Sequence, residues 1–324
     1  MSEVLISTDK LTKHYRLGAS FFGSNDKVIR AVDDVSFEIN ERETFALVGE
    51  SGCGKTTLGR AMLRLVERTS GSINYRGQDL HSLNEGSMRA LRKKLQIVFQ
   101  DPFASLNPRM RVKDILAEPL RAHSYGTEAE IEERCRELLE VVGLRPHLMR
   151  HYPHQFSGGQ RQRIGIARAL ANNPEFVVCD EAVSALDVSI QAQVLNLLRD
   201  LQEQLKLTYL FITHDLSVVR QFADRIGVMF LGRLVEVGTT EEIFSNPRHP
   251  YTMFLISAVP RADPHQRNRE RPVLVGDIPS PVNLPSGCRF HTRCPYARDI
   301  CRVQDTALVA ANGRGVACHF PLGD

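Results

Sequence analysis

Gly49-Glu50-Ser51-Gly52-Cys53-Gly54-Lys55-Thr56, with Thr57 next in line, sets two glycines around four intervening residues and follows them with a lysine and a hydroxyl. That order suits a phosphate. The glycines let backbone N–H groups wrap an anion at a helix N-terminus, Lys55 brings a point charge to the β and γ oxygens, and Thr56 offers a hydroxyl to Mg²⁺. A magnesium-bound triphosphate also needs a carboxylate, and Asp180, directly after the apolar run 176–179, supplies one. Glu181 follows it and can accept a proton from the water that attacks the γ-phosphate. Ser157-Gly158-Gly159-Gln160-Arg161 is a second short Gly-rich stretch of the kind that starts a phosphate-binding helix.

Such residues need a sheet to hold them. The runs 45–48, 95–99, 176–179 and 209–213 are nearly all apolar, as strands buried on both faces are, and helical patterns alternate with them up to about residue 246. The expectation is an α/β fold with a parallel or mixed sheet. Each run ends at a polar residue. Ligands bind beyond the carboxyl ends of such strands, which places Gln100, Asp180, Glu181 and His214 where chemistry happens. Between the second and third runs, Thr127 and Glu130 have capping-box spacing, Ile131, Cys135, Leu138, Leu139 and Val142 share one helical face, and Gly143 ends it. That segment reads as a helical insertion. After Asn246 the prolines at 247, 250, 260, 264, 272, 279, 281 and 285 disfavour long regular elements, so a separate loop-rich C-terminal module is expected.

The chain has 324 residues, a formal net charge of +3, 42% hydrophobic and 24% charged residues. This suits a folded protein of about two domains and gives no reason to expect nucleic acid as a partner. Residues 1–15 lack a basic head followed by an apolar stretch, so no signal peptide is expected. The apolar runs 226–231 and 251–260 fall far short of the roughly 20 residues of a membrane helix, so membrane association is expected to be peripheral. Seven cysteines in such a chain argue for a reducing compartment.

Four of these cysteines, Cys288, Cys294, Cys301 and Cys318, gather near the C-terminus with five, six and sixteen residues between them. Four thiolates suit tetrahedral Zn²⁺ or an iron–sulfur cluster, with unliganded thiols as the third reading. The close pairs typical of structural zinc are absent, and the wide spacing suits an extended loop around a [4Fe–4S] cluster better. His291 and His319 are nearby substitutes for a ligand, although surface histidines are the plainer reading.

With these pieces in this order, the chain resembles the ATP-binding cassette (ABC) ATPases, whose signature Ser157-Gly158-Gly159-Gln160 matches directly. The resemblance implies a nucleotide-binding domain over 1–245, a helical subdomain at about 108–165, and ATP with Mg²⁺ as ligands. It also implies roles. Gly49 to Thr57 would hold the nucleotide. Ser157, Gly158, Gly159 and Gln160 would cap ATP held by a partner subunit in a head-to-tail dimer. Gln100 would contact Mg²⁺ and the attacking water, beside Thr56 and Asp180 as metal ligands, and Asp101-Pro102-Phe103 would touch a membrane subunit. Asp187, in Ser184-Ala185-Leu186-Asp187, would bridge the two ATPases, His214 would contact the γ-phosphate, and Tyr15 would stack on adenine.

Within the family, the stretches 100–108, 180–188 and 246–252 resemble the ATP-binding subunits of bacterial dipeptide/oligopeptide importers. So does the tail Gly276-Asp277-Ile278-Pro279-Ser280-Pro281, followed by Gly287-Cys288-Arg289-Phe290 and Arg293-Cys294-Pro295. This marks 246–324 as the C-terminal region of that group and favours the [4Fe–4S] reading. It implies a second, different ATPase subunit, two transmembrane permeases, an extracytoplasmic substrate-binding protein, and a place on the cytoplasmic face of the bacterial inner membrane. Related systems for nickel, glutathione or oligosaccharides use very similar ATPases. The rival is a soluble ABC ATPase acting on nucleic acid or ribosomes, disfavoured by the single cassette and the lack of a sustained heptad pattern.

Overall fold

The structure, a computed structural model, describes residues 3–17, 27–259, 276–277, 279–311 and 313–323. The prolines at 260, 264 and 272, and Ile278 of the tail motif, lie outside the described residues. The strands among them are β1 (Val4–Leu17), β2 (Lys27–Asn40), β3 (Thr44–Val48), β4 (Ser70–Tyr75), β5 (Gln78–Asp79), β6 (Leu95–Val98), β7 (Phe176–Asp180), β8 (Thr208–Thr213), β9 (Arg225–Phe230), β10 (Arg233–Thr239), β11 (Val309–Ala311) and β12 (Arg314–Val316). They fall into two compact units. One is built mainly from His81–Ile212 with Asn40–Glu43, the other from Val4–Ile39, Thr44–Leu80 and Thr213–Asp324.

In the first unit β6 pairs with β7 and β7 with β8, both in parallel, Val98 opposite Cys179 and Asp180 opposite Ile212. Every residue of β7 and β8 is buried, which is why these runs carry almost no alternation. The insertion is helical as expected. Helices Val112–Ala122 and Glu128–Val141 fill it, and the second opens on a complete capping box: Glu130 N–H donates to Thr127 Oγ1 at 3.4 Å and Thr127 N–H to Glu130 Oε2 at 2.7 Å. Its buried face is Ile131, Cys135, Leu138 and Leu139. Gly143 follows at φ +71°, and Arg163 donates to the Val142 carbonyl at 2.7 Å, satisfying an acceptor the helix end leaves over.

In the second unit β2, β1, β4 and β5 lie side by side, with β1 antiparallel to β4 and β4 to β5. A further sheet pairs β3 in parallel with β9, then runs antiparallel through β10, β12 and β11. Gly227 sits opposite Leu47 because a Cβ there would press on the Phe45 ring at 2.9 Å. The expected boundary at 245/246 does not separate compact units. β12 continues the strand ladder of β10, and Phe290 and Tyr251 enter the same core as Val48, Val228 and Phe230. Glu236 binds the segments together: wholly buried in β10, it accepts from the N–H groups of Arg248 (2.8 Å) and His249 (2.9 Å) and from the Arg314 guanidinium (3.2 Å). Beside it, burial holds the His249 imidazole down to about 3, and the neutral ring accepts the Tyr251 N–H at 3.0 Å.

Two variants probe this architecture. Glu236→Ala takes the acceptor from the N–H groups of Arg248 and His249 and leaves Arg314 only the Asn246 carbonyl, and is expected to cost about 3 kcal/mol, read by denaturant unfolding. Thr127→Ala removes only a cap and is expected to cost about 1 kcal/mol. Equal losses for the two would contradict this account.

Candidate functional site

The sequence-predicted residues divide between the units. Tyr15, Gly49 to Thr57, His214 and the four C-terminal cysteines belong to the second; Gln100, the 157–160 stretch, Asp180, Glu181 and Asp187 belong to the first.

In the second unit the buried strand β3 delivers the chain to Gly49, and helix Lys55–Met62 begins six residues later. Gly49, Gly52 and Gly54 take φ values of +151°, +77° and +110°. A Cβ on Gly49 would overlap the Met229 carbonyl and one on Gly54 the Ala31 carbonyl, so these two positions need glycine for space as well as conformation. Gly54 is also the helix N-cap and offers no side chain to the first N–H groups, which leaves them directed at an incoming anion. Lys55 is 5% exposed, and its Nζ donates back to the carbonyls of Gly49 (2.8 Å) and Glu50 (3.0 Å). The ammonium thereby closes the loop over the space a phosphate would fill. Burial pushes the Cys53 thiol up despite the nearby Lys55 charge, so it stays protonated and packs as a small apolar group.

Glu50 is held from outside the loop. Its N–H donates to Tyr251 Oη at 2.9 Å, and its carboxylate receives Arg293 Nη1 at 2.8 and 3.1 Å and Nη2 at 3.2 Å. Neither contact is signalled by sequence pattern, because the partners are 201 and 243 residues away. Tyr15 is 37% exposed with Lys13 Nζ 4.8 Å over its ring, and His214 is exposed just after β8.

In the first unit Asp180 is buried at the end of β7 and Glu181 is half-buried beyond it. Glu181 has φ +48°, a left-handed conformation that is uncommon outside glycine. Its N–H donates to the Ile212 carbonyl at 2.9 Å, and its Oε2 accepts from Gln100 Nε2 at 2.8 Å. The structure thus brings the two predicted residues Gln100 and Glu181 into direct contact. Ser157 caps helix Gly158–Leu170 through a box with Gln160: Gln160 N–H donates to Ser157 Oγ at 3.3 Å and Ser157 N–H to Gln160 Oε1 at 3.1 Å. Gly159 is required there, since a Cβ would collide with Ile190. Asp187 caps helix Val188–Leu205, and the Ile190 N–H, with Ser189, holds its carboxyl below the usual range. Phe103 is 59% exposed, and the Arg161 guanidinium lies 4.0 Å over its ring.

The four C-terminal cysteines converge. Cys288, Cys294, Cys301 and Cys318 all line one cavity of about 20 Å³, together with Phe290 and Tyr296. Burial, reinforced by the neighbouring sulfurs, raises the thiols of Cys288 and Cys318 and lifts Cys294 to about 11. Among the described residues, no three His, Cys, Asp or Glu side chains come close enough to hold one metal ion. The four cysteines thus form no drawn-together ligand set, for zinc or for an iron–sulfur cluster.

Comparison with known proteins identifies relatives. A family model described as "ABC transporter" matches residues 32–184, and one described as "Oligopeptide/dipeptide transporter, C-terminal region" matches residues 235–301. The chain is 51% identical to the oligopeptide transport ATP-binding protein AppF of Bacillus subtilis (strain 168), over 98% of each chain. It is 52% identical to the putative oligopeptide transport ATP-binding protein YkfD of the same organism, over 98% of this chain and 95% of that one. Among solved structures, the dimeric post-hydrolysis state of the ATP-binding cassette MJ0796 bound to ADP and Pi aligns with a TM-score of 0.64 and 30% identity, over 73% of this chain and 99% of that one. With about half its residues identical to these ATP-binding proteins over nearly its full length, the chain belongs to the ABC transporter ATP-binding family, an ATPase family.

Proposed function

We propose that this chain binds and hydrolyses ATP to power the import of di- and oligopeptides across the bacterial inner membrane, from its cytoplasmic face. The observation that carries the peptide reading is the presence, on one chain, of an intact nucleotide site and the oligopeptide/dipeptide-type C-terminal region at residues 235–301. No helix among the described residues is long and apolar enough to cross a membrane, so the solute path falls to permease partners. Residues 1–245 act as the nucleotide-binding part, with 108–165 as its helical portion, and 246–324 as the C-terminal region; this is a functional division of one sequence.

In the proposed mechanism Gly49 to Thr57 bind the phosphates, and Lys55 exchanges its loop carbonyls for β and γ oxygens. Thr56, Gln100 and Asp180 are the residues that would hold Mg²⁺, which when bound would supply charge neutralisation at those oxygens. Glu181 accepts the proton of the attacking water, and Gln100, already bonded to its carboxylate, orients both. His214 reaches the γ-phosphate, and Tyr15 exchanges Lys13 for adenine. Ser157 to Gln160 cap the nucleotide of a second, different ATPase, with Asp187 at the bridge. Asp101-Pro102-Phe103 presents the exposed Phe103 to one of two permeases, which receive peptide from an extracytoplasmic binding protein. We read the four cysteines as ligands of a [4Fe–4S] cluster, which supplies four iron–thiolate bonds when bound. The reading is supported by the convergence of the four cysteines on one cavity; their thiols, which burial raises, must give up their protons for metal to bind.

Three outcomes check this. Tagged protein extracted from membranes in mild detergent is expected to retain two multi-spanning permeases and a second ATPase by mass spectrometry; soluble protein carrying ribosomes or DNA-repair factors would remove the transport role. Glu181→Gln is expected to bind ATP normally while turnover falls by about 10²–10⁴; substantial residual hydrolysis would take Glu181 out of the base role. Anaerobically purified protein is expected to contain iron in excess of zinc, and iron-free protein would dismiss the cluster.

A further inference from the structure

We propose that Arg293 and Tyr251, both from the region after residue 246, are positioning residues of the phosphate loop: they fix Glu50, and through it the backbone that receives the nucleotide. The inference rests on the reading that residues 49–57 bind ATP.

The phosphate-loop pattern leaves the identity of its second position open, and phosphate chemistry asks nothing of a glutamate side chain there. Yet four hydrogen bonds join Glu50 to Tyr251 and Arg293. Arg293 grips both carboxylate oxygens with two nitrogens, its side chain only 7% exposed and that of Glu50 22%, so the fork is directional and largely screened from water. Tyr251, wholly buried, takes the Glu50 N–H and is itself wedged against the rings of Phe230 at 4.7 Å and Phe290 at 5.4 Å. Arg293 is equally fixed. Its N–H donates to Phe290 O at 3.0 Å within a turn that starts and ends on Cys288 and Cys294, and Arg289 in the same turn bonds Asp33 and the Leu231 carbonyl. From Glu50 the constraint passes inward, because the Glu50 carbonyl is one of the two acceptors holding Lys55 Nζ. A loop with three glycines at positive φ has many alternative shapes, and ordering it only on binding would lower affinity. The two side chains remove that cost beforehand.

The test is ATP–Mg²⁺ affinity of the full-length protein by calorimetry, alongside KM and kcat. Arg293→Ala is expected to raise Kd about tenfold and KM in parallel, with kcat at saturating ATP within about twofold, since pre-ordering acts before chemistry. Arg293→Lys, which restores the charge without the fork, is expected to recover about half of the logarithmic loss. Tyr251→Phe is expected to raise Kd about threefold. In a Glu50→Gln background, Arg293→Ala is expected to change Kd by less than about twofold, a coupling that general destabilisation would not produce. Unchanged Kd in Arg293→Ala, or an equal loss with and without Glu50→Gln, overturns the proposal while the wild type still binds ATP. Should Arg293→Ala fail to fold, Arg293→Lys and Tyr251→Phe decide, and wild-type affinity in both overturns it. A wild type that does not bind ATP overturns the nucleotide reading beneath it.

Discussion

Main chain packed against main chain at the phosphate loop is the constraint on which this structure turns. Gly49 and Gly54 lie so close to the carbonyls of Met229 and Ala31 that neither can carry a Cβ, and Gly232 N–H donates to the Cys53 carbonyl at 2.8 Å. The loop is therefore shaped by its neighbours in β2 and β9 as much as by its own sequence. This explains why the strand before it must be fully buried: β3 has no exposed residue, and any slip in its parallel register with β9 would move Met229 away from Gly49.

A second linkage runs through the first unit. The 100–105 stretch meets the signature helix near both ends: Arg161, in its first turn, covers the Phe103 ring, and the guanidinium of Arg168, in its last turn, donates to the Ser105 carbonyl. Gln100, just upstream, bonds Glu181. One short stretch thus touches both the helix that carries 157–160 and, through Gln100, the Glu181 carboxylate.

How much of this was legible follows from the range of each signal. The loop at 49–56 and the capping box at Thr127 and Glu130 were readable because glycine conformation and cap spacing are local rules. The strands at 45–48, 176–179 and 209–213 stood out because burial on both faces removes polar residues. β1 and β2 were not read as strands at all: they alternate charged and apolar residues, and β1 shifts register between Asp9 and Thr12 where Lys10 takes φ +46°. β11 and β12 are three residues each, too short to carry a period. Proline count suggested a separate C-terminal module, whereas Phe290, Glu236 and β12 tie that region into the core around the phosphate loop. Composition reports regularity of the backbone, and regularity is a different property from packing.

The same distinction bears on the site. Asp180, Glu181 and Gln100 could be placed at strand ends from sequence, but the left-handed backbone of Glu181 could not, and it decides where the carboxylate points. That conformation is held by the Glu181 N–H on Ile212 O and by Gln100 on the side chain. Strain of this kind persists only where neighbours over-determine it. Glu50 shows the complementary case, a residue without strain or a required chemistry, fixed by partners more than 200 residues away. Local pattern therefore identifies which atoms do the chemistry, and long-range polar contacts identify what keeps them in place. At the phosphate loop, Tyr251 and Arg293 supply the second kind, from a part of the chain where sequence pattern is weak.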